Sequence, residues 1–312
     1  MNPFSALYGL LVAGKNRLYD AGIRKARKLH GPVISVGNLS VGGSGKTPFV
    51  ILLGELLQQR GIPFDVLSRG YGRKSNGVLE VDPNGSPNQF GDEPLLIARR
   101  LNCSVVVGES RYQAGLYSEK KYGPRMHILD DGFQHRALLR DFDIVLLTAE
   151  DIHDRLLPSG RLREPFSSLN RADAIVTATD MNFTPSTTTP IWRIRRSLEL
   201  PDPPLRPIVF CGIARPQQFI AQLRAMGVEP VATKFYADHH PYTSADTSEL
   251  AALRRQTGAT GFITTEKDQI NLGPLIDLLS PIAIARVQMQ LDDPADALNT
   301  IFRRTGDRNP AP

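Results

Sequence analysis

The sequence has 312 residues, of which 41% are hydrophobic and 22% charged, an ordinary globular balance that excludes a collagen-like or largely disordered chain. Cys103 and Cys211 stand far apart with no CxxC partner, which argues against a disulfide scaffold or zinc ribbon, and no apolar run is long enough to span a membrane. The net charge of +5 is confined to the N-terminus, where Lys15, Arg17, Arg24, Lys25, Arg27 and Lys28 face one acid, Asp20; it is a local device, and no nucleic-acid partner is expected.

Residues 1–30 read as a basic amphipathic helix. Phe4, Leu7, Tyr8, Leu11, Leu18 and Tyr19 recur near helical spacing, with Val12 and Ile23 alongside. Gly9, Gly14 and Gly22 are expected to break or soften it. The cations follow the apolar stretch, whereas a signal peptide places them before it. Such a segment suits the surface of an anionic membrane. The alternative is a surface helix packed on its own core, with solvated cations.

From residue 31 onward, short β-branched runs alternate with helical patterns. Strands are expected at 33–36, 64–68, 104–107, 127–129, 143–147 and 174–177, and helices near 48–60, 93–101 and 111–122. This alternation implies right-handed crossovers, a mostly parallel sheet and helices on both faces. A Pro/Thr-rich break follows at 183–190, then four prolines within 201–207. A second series comprises strands at 208–211, 231–235 and 261–265 and helices at 215–226, 244–256 and 268–279. Segments 191–196 and 282–287 bracket it and would pair as a two-stranded hinge, with helix 294–304 returning to the first unit. The expected organisation is therefore a first α/β domain over 31–185 (rejoined by 292–305), a hinge and a second, smaller α/β domain over 186–291, and a frayed end at 306–312.

The strongest motif is Ser40-Val41-Gly42-Gly43-Ser44-Gly45-Lys46-Thr47, between the first strand and an amphipathic run. Strand, glycine-rich loop and helix in that order are the context of a P-loop, so the fold class is α/β, P-loop NTPase-like. Glycines let successive N–H groups surround phosphate oxygens, and the helix N-terminus adds partial positive charge. Lys46 would reach the β- and γ-phosphates of ATP, and the Thr47 hydroxyl would ligate Mg²⁺. Ser40 replaces the first glycine of the full pattern. The bland reading is a glycine-rich turn with a chance Lys-Thr. Asp130 and Asp131 end the strand at 127–129 and supply an acid for magnesium, although Asp-Asp-Gly is also good turn chemistry. Adjacent carboxylates repel unless a cation sits between them or one turns away.

Gly37-Asn38-Leu39-Ser40 leads into this loop and Pro48 follows it. Ser68-Arg69-Gly70-Tyr71-Gly72-Arg73, Gly91-Asp92-Glu93-Pro94, Asp130-Asp131-Gly132-Phe133-Gln134-His135, Asp238-His239-His240-Pro241-Tyr242 and Thr264-Thr265-Glu266-Lys267-Asp268 come next. In this order, from about residue 34 to 268, the set resembles the tetraacyldisaccharide 4′-kinase family of lipid A biosynthesis, whose members tolerate a hydroxyl residue at the Ser40 position. The resemblance implies Mg²⁺-assisted transfer of the ATP γ-phosphoryl group to the 4′-hydroxyl of a tetraacylated glucosamine disaccharide 1-phosphate. The product is lipid IVA. It also implies a peripheral protein on the cytoplasmic face of the bacterial inner membrane. Nothing in the sequence points to an obligate protein partner.

Within that resemblance Asp92 is the candidate general base, its alternative being a helix N-cap before Glu-Pro. His239 or His240 would hydrogen-bond Asp92 and tune its basicity; the alternatives are structural histidines or a metal site. Arg69 and Arg73 would fork onto the substrate phosphate, or simply sit in an exposed turn. Gln134 and His135 organise magnesium or water, or pack. Glu266-Lys267-Asp268 flanks the nucleotide base or caps a helix. His127 and Trp192 read as core. A membrane-associated ATPase or GTPase switch is the competing class, but the lysine such switches carry ahead of the double glycine is Val41 here. A soluble small-molecule kinase is the third reading.

Overall fold

The computed structural model describes residues 3–184 and 188–306; the middle of the Pro/Thr-rich break and, beyond Gly306, the frayed end expected at 306–312 lie outside the described residues. The chain runs α1 (Pro3–Asp20), β1 (Val33–Asn38), α2 (Lys46–Gln59), β2 (Phe64–Ser68), β3 (Leu79–Glu80), α3 (Pro87–Phe90), α4 (Asp92–Leu101), β4 (Val105–Val107), α5 (Arg111–Tyr122), β5 (Met126–Asp130), β6 (Phe142–Leu146) and β7 (Ala174–Ala178). There follow β8 (Ile191–Glu199), β9 (Pro207–Cys211), α6 (Pro216–Ala225), β10 (Ala232–Phe235), α7 (Ser244–Thr257), β11 (Gly261–Thr265), α8 (Glu266–Leu272), β12 (Ile282–Leu291) and α9 (Pro294–Thr305). Among the described residues no helix is long and apolar enough to cross a membrane.

All strands join one sheet in the order β10-β9-β11-β12-β8-β7-β6-β1-β5-β2-β4-β3. Pairing is parallel except for the edge pair β3/β4 and the central pair β8/β12. Strand side chains alternate between faces, so a sheet covered on both sides is apolar at most positions of both faces. Phe142, Ile144 and Leu146 of β6 enter one core with α2, α4 and α9, while Val145 and Leu147 enter another on the opposite face. In the second series Ile208 and Phe210 lie on one side of β9, and Val209 and Cys211 on the other.

The β8/β12 pair decides the layout. The N-terminal part of β8 pairs with β7, while its later residues pair with β12, from Ile194 opposite Leu291 to Glu199 opposite Arg286. The early part of β12, Ile282–Ala285, pairs in parallel with β11. The two parallel sets thus run in opposite directions and overlap only through β8 and β12. Their carboxyl ends, where ligands bind in open α/β sheets, therefore face each other.

Local chemistry sets several boundaries. Gly273-Pro274 stops α8, and residues Gly273–Leu279 continue as a 3-10 segment, so the helix expected at 268–279 is divided. Helix α1 runs unbroken through Gly9 and Gly14, against the expected softening. Gly9 is where the helix meets the body: a Cβ there would lie 3.0 Å from Leu156 Cδ1. The polar face of α1 is fastened by Ser5 Oγ to Ser159 Oγ (2.8 Å) and by the Tyr8 hydroxyl to the Arg163 carbonyl (3.0 Å).

Candidate active site

The cleft between the two sets of carboxyl ends has a volume of about 1100 Å³. Its floor is the loop Ser40–Thr47, followed by α2. Gly42 and Gly45 have φ of 100° and 89°, in the left-handed region that glycine occupies without strain. A Cβ on Gly45 would also lie 2.7 Å from both Arg196 Nη2 and Met289 Cε. The loop is thus held from the second side: Arg196, on β8, donates to the Ser44 carbonyl at 2.5 Å. From the first side, Val41 N–H donates to the Arg161 carbonyl (2.8 Å) and Gln134 Nε2 to the Asn38 carbonyl (2.9 Å).

Lys46 donates to Asn38 Oδ1 at 3.2 Å and lies 3.5 Å from Asp131. Asp131, with φ of 49°, turns away from Asp130 to take a bidentate fork from Arg163 at 2.7 and 2.8 Å. Burial opposes its charge, but the Arg163 fork and the Lys46 ammonium outweigh burial and hold its carboxyl far below the usual range. Asp130 has the opposite fate. It accepts one hydrogen bond, from Ser68 Oγ at 3.1 Å, and its buried Oδ1 has no partner. Burial, then the charges of Glu93 and Asp131, push its carboxyl up to about 7. An unpaired buried carboxylate oxygen in the same cleft as Thr47 is the kind of donor a small divalent cation uses together with a hydroxyl and phosphate oxygens. The residues therefore fit magnesium, with Asp130 better placed than Asp131.

The second feature lies just behind the cleft wall: His239 and Glu93 line the cleft, and Asp92 is held by them without lining it. Asp92 opens α4 and is only 5% exposed. Its Oδ1 accepts from the Glu93 N–H (2.9 Å), and its Oδ2 lies 2.7 Å from His239 Nδ1 and accepts from Asn271 Nδ2 at 3.3 Å. Asp92 is the first residue of α4, whose N-cap is Gly91 with no side-chain cap bond, so the N-cap alternative does not hold. Burial raises this carboxyl, but the His239 hydrogen bond, the Lys267 charge and the Asn271 bond bring it below its ordinary value. The His239 ring is raised in return, chiefly by the Asp92 bond. His239 sits in the left-handed region (φ 59°), with its N–H on the Gly212 carbonyl and its ring beside Tyr71. A non-glycine residue kept there by its surroundings is a mark of functional sites. His240 points elsewhere: it stacks on Tyr236 (centroids 4.6 Å apart) and lies 3.3 Å from Asp246. The structure thus brings His239, and not His240, to Asp92.

Arg69 is exposed on the cleft wall, as a phosphate ligand must be. Arg73 departs from expectation. Its guanidinium is buried against Glu109 (2.5 Å) and the Gly77 carbonyl (2.7 Å), packs on Gly70 and does not line the cleft. Glu109 and the Gly77 carbonyl both take its Nη2, while its buried Nη1 has no partner; the sequence spacing could not reveal Glu109. Lys267 pairs with Glu93 (3.0 Å), and Arg100 Nη1 donates to both Glu266 carboxylate oxygens at 3.1 and 3.0 Å; both contacts clasp α8 to α4. Asp268 is structural, accepting from the Gly212 N–H (2.7 Å) and the Tyr242 hydroxyl (2.8 Å). His135 lines the cleft, and burial together with Arg111 and Arg140 drives it down to about 4, so it is neutral near pH 7. Arg163, Arg196 and Asn271 were not signalled by any local motif; only the fold brings them here.

The sequence matches the family described as tetraacyldisaccharide-1-P 4′-kinase, LpxK, across residues 1–305. It is 48% identical to the tetraacyldisaccharide 4′-kinase of Koribacter versatilis, covering 97% of this chain and 98% of the relative. The corresponding kinase of Aquifex aeolicus is 42% identical, with 86% and 88% covered. A crystal structure of LpxK from Aquifex aeolicus in complex with ATP superposes with a TM-score of 0.82 at 36% identity, covering 97% of this chain and 98% of that one. With its P-loop, its clefted sheet and these relatives matched nearly end to end, the chain belongs to the tetraacyldisaccharide 4′-kinase family.

Proposed function

We propose that the chain transfers the γ-phosphoryl group of ATP to the 4′-hydroxyl of a tetraacyldisaccharide 1-phosphate, forming lipid IVA. The observation that carries this reading is the Asp92–His239 pair, 2.7 Å apart, whose His239 lines the same cleft as the P-loop. Phosphoryl transfer needs the triphosphate held, the developing charge balanced and a base at the acceptor hydroxyl. The loop Ser40–Thr47 holds the triphosphate. Lys46 exchanges Asp131 for a phosphate oxygen, and Arg163 keeps Asp131 balanced when it does so. Thr47 and Asp130 are the residues that would hold Mg²⁺, with Asp131 beside them. When bound, the ion supplies charge neutralisation on the β- and γ-oxygens. Asp92 takes the acceptor proton, oriented by His239. Arg69 binds the substrate phosphate; Arg73 braces its loop.

The lipid substrate calls for a membrane foothold, and α1 supports one. Phe4, Leu7, Leu10 and Leu11 are 69, 56, 71 and 66% exposed, because the polar face of the helix is spent on the body. Arg24, Lys25 and Lys28 are exposed just beyond. Lys15 donates to the carbonyl of Gln134, a residue of the cleft wall, so a bilayer at α1 lies beside the site. We place the protein peripherally on the cytoplasmic face of the bacterial inner membrane. The division into domains 31–185 and 186–291, closing about β8 and β12, follows from the same picture. Its support is that α9 shares a core with Phe142 and Ile144 of the first unit, and with Trp192 of the hinge strand β8.

The test is incubation with ATP, Mg²⁺ and the lipid in detergent micelles, followed by mass spectrometry. One added phosphate on the distal sugar, lost in Lys46→Ala, is expected. Nucleotide-driven dimerisation or ATP turnover with no lipid product would favour a switch instead.

A further inference from the structure

Both donors on Asp92 Oδ2 come from the second series: His239 Nδ1 at 2.7 Å and Asn271 Nδ2 at 3.3 Å. Among the described residues, Oδ1 carries only the Glu93 N–H, at 2.9 Å. Asn271 lies in α8, which is docked on α4 by Lys267–Glu93 and Arg100–Glu266. Its place is therefore set by helix packing, independently of the loop that carries His239. The two donors also differ in kind. An imidazole nitrogen gains or loses its hydrogen as the ring titrates, whereas a carboxamide nitrogen only donates. Asn271 thus keeps the carboxylate in one orientation whatever the state of His239.

We infer that Asn271 is a positioning residue of the transfer reaction: with His239 it covers Asp92 Oδ2 and leaves Oδ1 as the oxygen that receives the acceptor proton. In the step itself the acceptor O–H bond breaks and its oxygen bonds to the γ-phosphorus. The bond from that phosphorus to the β,γ-bridging oxygen breaks, ADP leaves with the electron pair, and the proton comes to rest on Oδ1. The inference rests on the reading of Asp92 as the base. The charged and titratable groups facing Asp92 are His239 and Asp238 after β10, Lys267 on α8 and Glu93 on α4. Asn271 is neutral, so replacing it removes a donor without altering that charge set. A carboxylate that loses a donor becomes more basic, so the acid limb of kcat must move to higher pH.

The experiment compares kcat, KM and the pH profile of the full chain, with lipid in micelles, for wild type, Asn271→Leu, Asn271→Gln, Asp92→Asn and the double variant Asp92→Asn/Asn271→Leu. Asn271→Leu should lower kcat about tenfold, leave KM for ATP within about twofold and raise the acid limb. Asn271→Gln, which restores a donor, should recover most of the rate and return the limb. In the Asp92→Asn background, Asn271→Leu should change kcat by less than about twofold, because the group it acts through is gone. A wild-type rate and limb in Asn271→Leu would overturn the inference. The same tenfold loss in the Asp92→Asn background would overturn it alone, leaving the base reading intact. A wild-type kcat in Asp92→Asn would instead sink the base reading, and this inference with it.

Discussion

Replacing Asp92 by Asn keeps the shape of the side chain and removes its charge. Asp92 is 5% exposed and makes its contacts with Glu93, His239 and Asn271, none of which belongs to the loop Ser40–Thr47. Nucleotide affinity should therefore survive, with KM for ATP within about threefold. A positioned general base contributes about 10²–10⁴ in rate, and kcat should fall by that factor. A second readout follows from the same geometry. The His239 ring is raised mainly by its bond to the Asp92 carboxylate, against the opposing effect of burial. With the carboxylate gone, the His239 titration followed by NMR should move to lower pH. Steady-state kinetics and this titration together form the assay. A variant with full kcat, or an unmoved His239 titration with the rate lost, would refute the reasoning.

Three further outcomes follow from the scaffold. His127 is fully buried, 2.7 Å from Asp65 and 3.3 Å from Glu119; burial opposes its charge, but the two acids prevail and raise it to about 9. A raised histidine stabilises fully below its unfolded value of about 6.5 and loses that contribution as pH rises through about 9, a loss of about 3 kcal/mol. Urea midpoints of wild type should fall over this window relative to His127→Gln; parallel slopes would contradict it. Gly37→Ala places a Cβ 2.6 Å from Phe133 Cβ and 2.8 Å from its backbone nitrogen at the end of β1, and should cost about 1–3 kcal/mol in denaturant titration. Leu10→Ser/Leu11→Ser removes two exposed apolar side chains of α1 and should weaken binding to anionic vesicles about a hundredfold, at about 1.5 kcal/mol per side chain, without changing the melting temperature. Unchanged vesicle binding would remove the foothold role.

The sequence carries its parallel strands openly, because strands covered on both faces are mostly apolar and β-branched, as β1 and β6 are apart from Ser35, Asn38 and Asp143. The P-loop was equally legible, since its chemistry is local: glycines, lysine and threonine within eight residues. What stayed hidden depends on contacts distant in sequence. Neighbouring His239 and His240 are separated only by backbone conformation, a left-handed φ that turns one ring to Asp92 and leaves its neighbour stacked on Tyr236. Arg73 looked like a phosphate ligand until Glu109, 36 residues later, took its guanidinium. Arg163 and Asn271 sit in no motif, and their value lies in partners 32 and 179 positions away. The glycines of α1 misled because one of them, Gly9, serves a close approach to Leu156. Elements β3 and α3, of two and four residues, are too short to carry a periodicity.

The central claim is that the loop Ser40–Thr47 presents a γ-phosphoryl group toward Asp92 and His239. A crystal structure of the full chain with Mg²⁺ and a non-hydrolysable ATP analogue tests it most directly. The account requires the triphosphate in that loop, Lys46 drawn from Asp131 to a phosphate oxygen, and the terminal phosphorus on the side of the cleft that holds Asp92. A triphosphate bound elsewhere with the loop empty, or a terminal phosphorus walled off from Asp92 by protein, would contradict it.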